Sequence, residues 1–133
     1  MKRILSSLML VLAVLSGCAA PSPASGTGSR TYRQITMQEA AQLMKTEQNY
    51  ILLDVRSDME YSAGHIPGAV LLPNETIGSD PIPQLPDQNQ LIMVYCRSGN
   101  RSKQAADKLV RLGYTNVVEI GGIHSWEGDI VTE

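Results

Sequence analysis

Uninterrupted apolar runs alternate along the chain with stretches of helical periodicity. Leu91 to Val94 shows no polar alternation, as expected of a strand buried on both faces of a parallel sheet, and the run ends at Cys96. Arg97, Ser98, Gly99, Asn100 and Arg101 follow. Ser102 then opens a segment with Ala105, Ala106, Leu109, Val110 and Leu112 at helical spacing, closed by Gly113 as C-cap. Upstream, Thr36 and Glu39 read as a capping box, and the stripe Met37, Ala40, Ala41 and Met44 predicts a helix over 37–46. Tyr50 to Val55 predicts a second buried strand. Asp58 is placed to cap a short helix through Ala63, stopped by Gly64. Pro67 and Gly68 predict a turn, and Ala69 to Leu72 a short strand that Pro73 breaks. Residues 74–90, polar and interrupted by prolines and glycine, predict a surface connection that can line one side of a pocket. Thr115 to Ile120 predicts a last buried strand, and Gly121 and Gly122 a tight turn into a short helix carrying His124 and Trp126.

This alternation predicts an α/β domain with a mostly parallel central sheet flanked by helices on both faces. The 133 residues suffice for one domain with a real core and fall short of two. That domain is expected over residues 31–133, with folded structure beginning near Tyr32. In such sheets, sites gather at the carboxyl ends of the strands, where Cys96 falls.

The first thirty residues follow a different pattern. Lys2 and Arg3 precede an apolar run from Ile4 to Leu15, shorter than the roughly 20 residues of a membrane-spanning helix and flanked as a secretory signal is. Residues 18–30 are small, proline-bearing and almost uncharged, the composition of a flexible tether. Removal of residues 1–17 leaves nine basic residues against thirteen acidic ones, so no basic tract is available for nucleic acid.

Between a strand end and a helix start, Cys96 occupies a position with consequences for its chemistry. A short loop there can turn backbone N–H groups inward, and the positive end of the helix dipole adds to them. A thiol at the rim of such an anion cradle ionises readily, with a pKa roughly in the 3.5–7.5 range of activated cysteines. The thiolate is a nucleophile, and the cradle can then hold a persulfide or a thiophosphate on the sulfur, with Arg97 and Arg101 adding positive field. The alternative is a buried core cysteine, which seldom ends a strand before a glycine-containing loop with two arginines.

Three runs, DVRSDMEYSAGHIPGAVLLP from Asp54 to Pro73, YCRSGNRS from Tyr95 to Ser102 and GGIHSW from Gly121 to Trp126, occur in an order and spacing that resemble a single-domain rhodanese, a thiosulfate-type sulfurtransferase. The resemblance covers nearly everything after residue 30. It implies a rhodanese-like three-layer fold and a persulfide-forming Cys96 in a six-residue loop, Cys96 to Arg101, sized for a sulfur atom. The backbone N–H groups of Arg97, Ser98, Gly99, Asn100, Arg101 and Ser102 would hold the sulfur. The two arginines would attract a small anionic sulfur donor, and the acceptor would be cyanide or a thiol. No cofactor and no metal is implied. Related phosphatases and arsenate reductases place five residues between cysteine and arginine, and here that arginine position holds Ser102. In the family, the histidine at His65 belongs to a structural turn. Asp54, Arg56 and Glu60 are read as loop-orienting charges, and Trp126 as a core or pocket-wall aromatic.

Leu15, Ser16, Gly17 and Cys18 resemble the lipobox of bacterial lipoproteins. This implies cleavage before Cys18, lipid on its thiol, and a membrane-anchored domain on the periplasmic or extracytoplasmic face of the cell envelope. An ordinary signal peptide cut nearby and an uncleaved anchor are the alternatives. Ala19, where an aspartate would retain a Gram-negative lipoprotein at the inner membrane, favours the outer membrane. With Cys18 lipidated, Cys96 is the only free thiol, which excludes an internal disulfide, a two-cysteine metal site and a dithiol oxidoreductase. The rival reading is a non-catalytic rhodanese-like sulfur carrier or docking module that binds another envelope protein.

Overall fold

The computed structural model describes residues 31–79 and 81–133. The signal segment 1–17, Cys18 and the tether 18–30 lie outside the described residues, so the expectations placed on them rest on sequence alone. Chain order runs β1 (Arg33–Gln34), α1 (Met37–Thr46), β2 (Tyr50–Asp54), α2 (Asp58–Ala63), β3 (Val70–Leu71), a 3-10 turn (Asn74–Thr76), β4 (Leu91–Cys96), α3 (Asn100–Arg111), β5 (Val117–Gly122) and a second 3-10 turn (Ile123–Ser125).

The five strands form one parallel sheet in the order β1-β5-β4-β2-β3. The uninterrupted apolar runs are explained by cover on both faces. Ile92, Val94 and Cys96 of β4 join a core with Leu53, Ala105, Leu109 and Val110, whereas Met93 and Tyr95 point to the opposite core with Met37, Ala40, Leu52 and Ile66. Helix α3 covers the first face and α1 the second, giving the three layers expected from the pattern.

Helix α1 starts as its sequence dictates. Thr36 Oγ1 accepts from the Glu39 N–H at 3.1 Å, and Glu39 Oε2 accepts from the Thr36 N–H at 2.7 Å. Other boundaries differ from the expectations. The cap of α2 is Ser57 rather than Asp58, because Ser57 and Glu60 complete a second capping box and draw Asp58 into the first turn. Helix α3 begins at Asn100, two residues before Ser102, since Gly99 adopts φ 102° and reverses the chain early. Gly113 lies one residue beyond the C-cap, Leu112, in the left-handed conformation. The strand near Ala69 shortens to Val70–Leu71, and β5 runs from Val117 to Gly122. The expected closing helix is the 3-10 turn, with Trp126 just past its end.

The connection 74–90 is more than surface. Ile77, Ile82 and Leu85 are buried in the α3-side core, while Lys108 Nζ on α3 donates to the Asn74 carbonyl at 2.8 Å. This segment packs against α3 and does not line the depression beside Arg97. Strand β1 is an addition that two residues could not announce: it exists through pairing with Val118 and Glu119.

Candidate active site

Cys96 ends β4 at the carboxyl edge of the sheet, and its residue is 1% exposed. A register shift between Val94 and Cys96 brings Gly122 of β5 opposite Cys96. The chain then turns through Arg97, Ser98 and Gly99 directly into α3. The Gly99 N–H donates to Cys96 Sγ at 3.0 Å, and the thiol lies 3.4 Å from Ser102 Oγ. Burial alone pushes the Cys96 thiol up. The hydrogen bond with the Ser102 hydroxyl and those from the N–H groups of Ser102, Gly99 and Ser98 outweigh it, so the thiol ionises below its ordinary value.

The loop is held from both sides. Arg101, in the first turn of α3, makes a bidentate pair with Glu60 of α2, with Nη1 to Oε2 and Nη2 to Oε1 both at 2.8 Å. The Arg101 hydrogen bond holds the Glu60 carboxyl well below the usual carboxylate range, against the opposing effect of partial burial. Because Glu60 also accepts from Ser57, one carboxylate caps α2 and fixes α3. On the far side, Ser102 Oγ donates to Glu119 Oε1 at 2.6 Å, and the same oxygen accepts from the Gly121 N–H at 2.8 Å.

Below the loop, Asp54 and Arg56 form a buried pair, with Nη2 to Oδ2 at 2.6 Å. Tyr95 donates to Asp54 at 2.8 Å and accepts from the Ile66 N–H at 3.2 Å, while Arg56 also donates to the Gly64 carbonyl at 2.7 Å. These groups orient the segments around the loop. His65 is buried: its ring stacks on Tyr61 at 3.7 Å between centroids, and Nδ1 meets the Tyr61 carbonyl at 2.9 Å. These contacts are with α2 and Val131, not with the cysteine loop.

A depression of about 370 Å³ at the Arg97 end of the loop is lined by Arg56, Glu60, Arg97, Ile123, His124, Trp126 and Ile130, among others. Arg97 Nε donates to His124 Nε2 at 3.3 Å on its exposed rim. A larger groove of about 470 Å³ lies between α1 and Trp126, away from the cysteine loop. The structure thus brings Cys96, Arg97, Ser98, Gly99, Asn100, Arg101 and Ser102 into one strand-to-helix turn. It also sets Glu119 and Gly122 of β5 against that turn; the sequence pattern read Gly122 only as part of a tight turn and did not single out Glu119. The signal available for Glu119 was an acid inside an otherwise apolar run, VVEIGG.

Residues 36–129 match the Rhodanese-like domain. The chain is 35% identical over 71 residues to the thiosulfate sulfurtransferase PspE of Escherichia coli (strain K12), spanning 53% of this chain and 68% of that protein. Among solved structures, a rhodanese with anions from E. coli superposes with a TM-score of 0.59 at 31% identity, over 63% of this chain and 99% of the other. The rhodanese-like domain of an Anabaena protein gives a TM-score of 0.68 at 27% identity, over 77% and 81% of the two chains. With a parallel three-layer fold, a cysteine at a strand end under a helix N-terminus and a family match across most of its length, the chain belongs to the rhodanese-like family of sulfurtransferases.

Proposed function

We propose that the protein is a thiosulfate-type sulfurtransferase working by double displacement at Cys96. The Cys96 thiolate attacks the outer sulfur of thiosulfate or a related sulfane donor. The donor S–S bond breaks, and sulfite leaves with the bonding pair. A cyanide or thiolate acceptor then attacks the outer sulfur of the Cys96 persulfide, and the Cys96 thiolate departs. No redox partner is needed, because each step exchanges one bond to sulfur for another.

The observation that carries this reading is the buried sulfur at 3.0 Å from the Gly99 N–H, at the N-terminus of α3. In this reading the N–H groups of residues 97–102 hold the transferred sulfur. Arg97 supplies the positive field at the rim. Arg101, neutralised by Glu60, contributes mainly by holding the loop in shape. Ser98 and Asn100 shape the loop, Gly99 supplies its reversal, and Ser102 touches the thiol.

Residues 1–18 support export and lipid attachment at Cys18, which would set the domain on an extracytoplasmic membrane face, the outer membrane in a Gram-negative cell. Intact mass of the purified protein before and after thiosulfate tests the covalent step. A gain of one sulfur atom is expected in the parent and none in Cys96→Ser. Absence of any gain in the parent overturns thiosulfate as donor, and an equal gain in Cys96→Ser overturns the assignment of the nucleophile.

A further inference from the structure

Thiosulfate and cyanide have no apolar part, yet the depression at the Arg97 end of the loop is walled by apolar side chains. Ala63, Ile123, Trp126 and Ile130 line it, and Ile130 is 48% exposed. Its volume of about 370 Å³ is far more than cyanide fills and falls within the range of small-molecule pockets. The transfer steps above leave that wall unused.

The charges around the depression differ in how far they are committed. Arg56 is paired with Asp54, and Glu60 with Arg101. Among the described residues no carboxylate pairs with Arg97. Its Nε donates to His124 Nε2 at 3.3 Å, which holds the guanidinium on the rim and leaves its two terminal nitrogens without a side-chain partner among the described residues. Such a guanidinium edge matches a carboxylate, and the apolar wall beside it matches a carbon chain. Arg97 directly follows Cys96, and Glu60, which also lines the depression, holds Arg101 at the other end of the loop.

The geometry points to this depression as the acceptor subsite, and to an aliphatic thiol bearing a carboxylate as the acceptor, with its acid group on Arg97 and its chain on Ile123, Trp126 and Ile130. The inference rests on the sulfurtransferase reading and narrows its acceptor. The acceptor thiolate bonds to the outer sulfur of the Cys96 persulfide, the persulfide S–S bond breaks, and its electron pair stays on Cys96 Sγ. The products are the Cys96 thiolate and the acceptor's own persulfide. The outer sulfur keeps whatever proton it carries, total charge is unchanged, and no oxidant or reductant takes part. Donor and acceptor use Arg97 in turn, since sulfite has left before the acceptor enters.

Trp126 is the only tryptophan in the chain, so its fluorescence reports on this depression without any sulfur chemistry. It also lines the groove against α1, where Lys45 is the cation, and a control must separate the two. The experiment titrates the full chain with hexanoate and with hexanol, which carry no thiol, and follows that emission. The parent is expected to give a saturable response at about fivefold lower concentration for hexanoate, the upper end for an exposed charge pair. Arg97→Gln should bring the two ligands level, Ile130→Ser should weaken both alike, and Lys45→Gln should keep the parental preference. The proposal is overturned by no saturable response or equal responses in the parent, by a preference that survives Arg97→Gln, or by one lost in Lys45→Gln, which would put the ligand in the α1 groove.

In a second arm, protein loaded from thiosulfate is mixed with mercaptohexanoate or mercaptohexanol, whose end groups are too far from the thiol to alter its reactivity. Loss of the transferred sulfur is timed by mass. Faster discharge by the carboxylate in the parent, levelled in Arg97→Gln, supports the acceptor assignment, and equal rates in the parent overturn it. Failure to load at all counts against the sulfurtransferase reading, while the fluorescence arm decides the subsite on its own.

Discussion

Gly99 and Gly122 both border the Cys96 loop, and different physical constraints demand a glycine at each. At Gly99 the constraint is backbone conformation: φ is 102°, and a Cβ would meet nothing closer than 3.7 Å. An alanine there costs on the order of 1–3 kcal/mol of strain without displacing a neighbour. At Gly122 the backbone is ordinary, at φ −113°, but a Cβ would lie 2.7 Å from Ser98 Cα, so the loop itself must move. The loop N–H groups set the thiolate, so movement harms chemistry more than strain does. Gly122→Ala is therefore expected to slow sulfur loading from thiosulfate more than Gly99→Ala, measured as the rate of mass gain at Cys96. Equal loading rates in the two variants would contradict the close approach of β5 to the loop as the controlling feature.

At the scale of elements, the N-termini of α2 and α3 are joined by the single carboxylate of Glu60, which caps α2 and pairs with Arg101 of α3. A basic residue in the first turn of α3 opposes the helix dipole, and Glu60 offsets that. The folded-state pKa of Glu60 is depressed below its ordinary 4.5, so its contribution to stability is present above that pH and is lost progressively as the pH falls below it. Glu60→Gln should accordingly lower the urea midpoint near neutrality and flatten its decline toward acid. An acid limb as steep as the parent's would place the titration elsewhere. The two halves of this junction differ in how they could be read from sequence. The Ser57 capping box has local spacing, although Asp58 next to it competes for the same role, whereas Glu60 and Arg101 are 41 residues apart and meet only through the fold. The same division holds throughout. Helix α1, strands β2 and β4 and the Cys96 turn were legible because each is encoded by adjacent residues. Strand β1, the early start of α3 and the contact of Glu119 with Ser102 were not, because they depend on pairing with β5, on the geometry of a turn or on residues that only the fold brings together.

For the molecule as a whole, the sheet divides two tasks between its faces. Alternation along β4 sends Cys96 to the α3 side and Tyr95 to the α1 side, so adjacent residues serve different purposes. Tyr95 ties β4 to β2 through Asp54 and to the turn before β3 through the Ile66 N–H, and burial pushes its hydroxyl pKa well up. Removing that hydroxyl leaves the Ile66 N–H without this acceptor and takes one donor from Asp54, which keeps Arg56. Tyr95→Phe should cost about 1–3 kcal/mol, the penalty for a buried polar group left unpaired. It should appear as a lower urea midpoint at unchanged slope. Sulfur loading at Cys96 should keep its parental rate under conditions where the variant is fully folded, because the hydrogen bonds that favour the thiolate come from the other face of the sheet and from α3. Loading that fell along with stability would mean that the buried Asp54–Arg56–Tyr95 network reaches through the sheet to set the reactivity of the thiol. Stability lost without loading would confine that network to holding the strands in register beneath a site it does not tune.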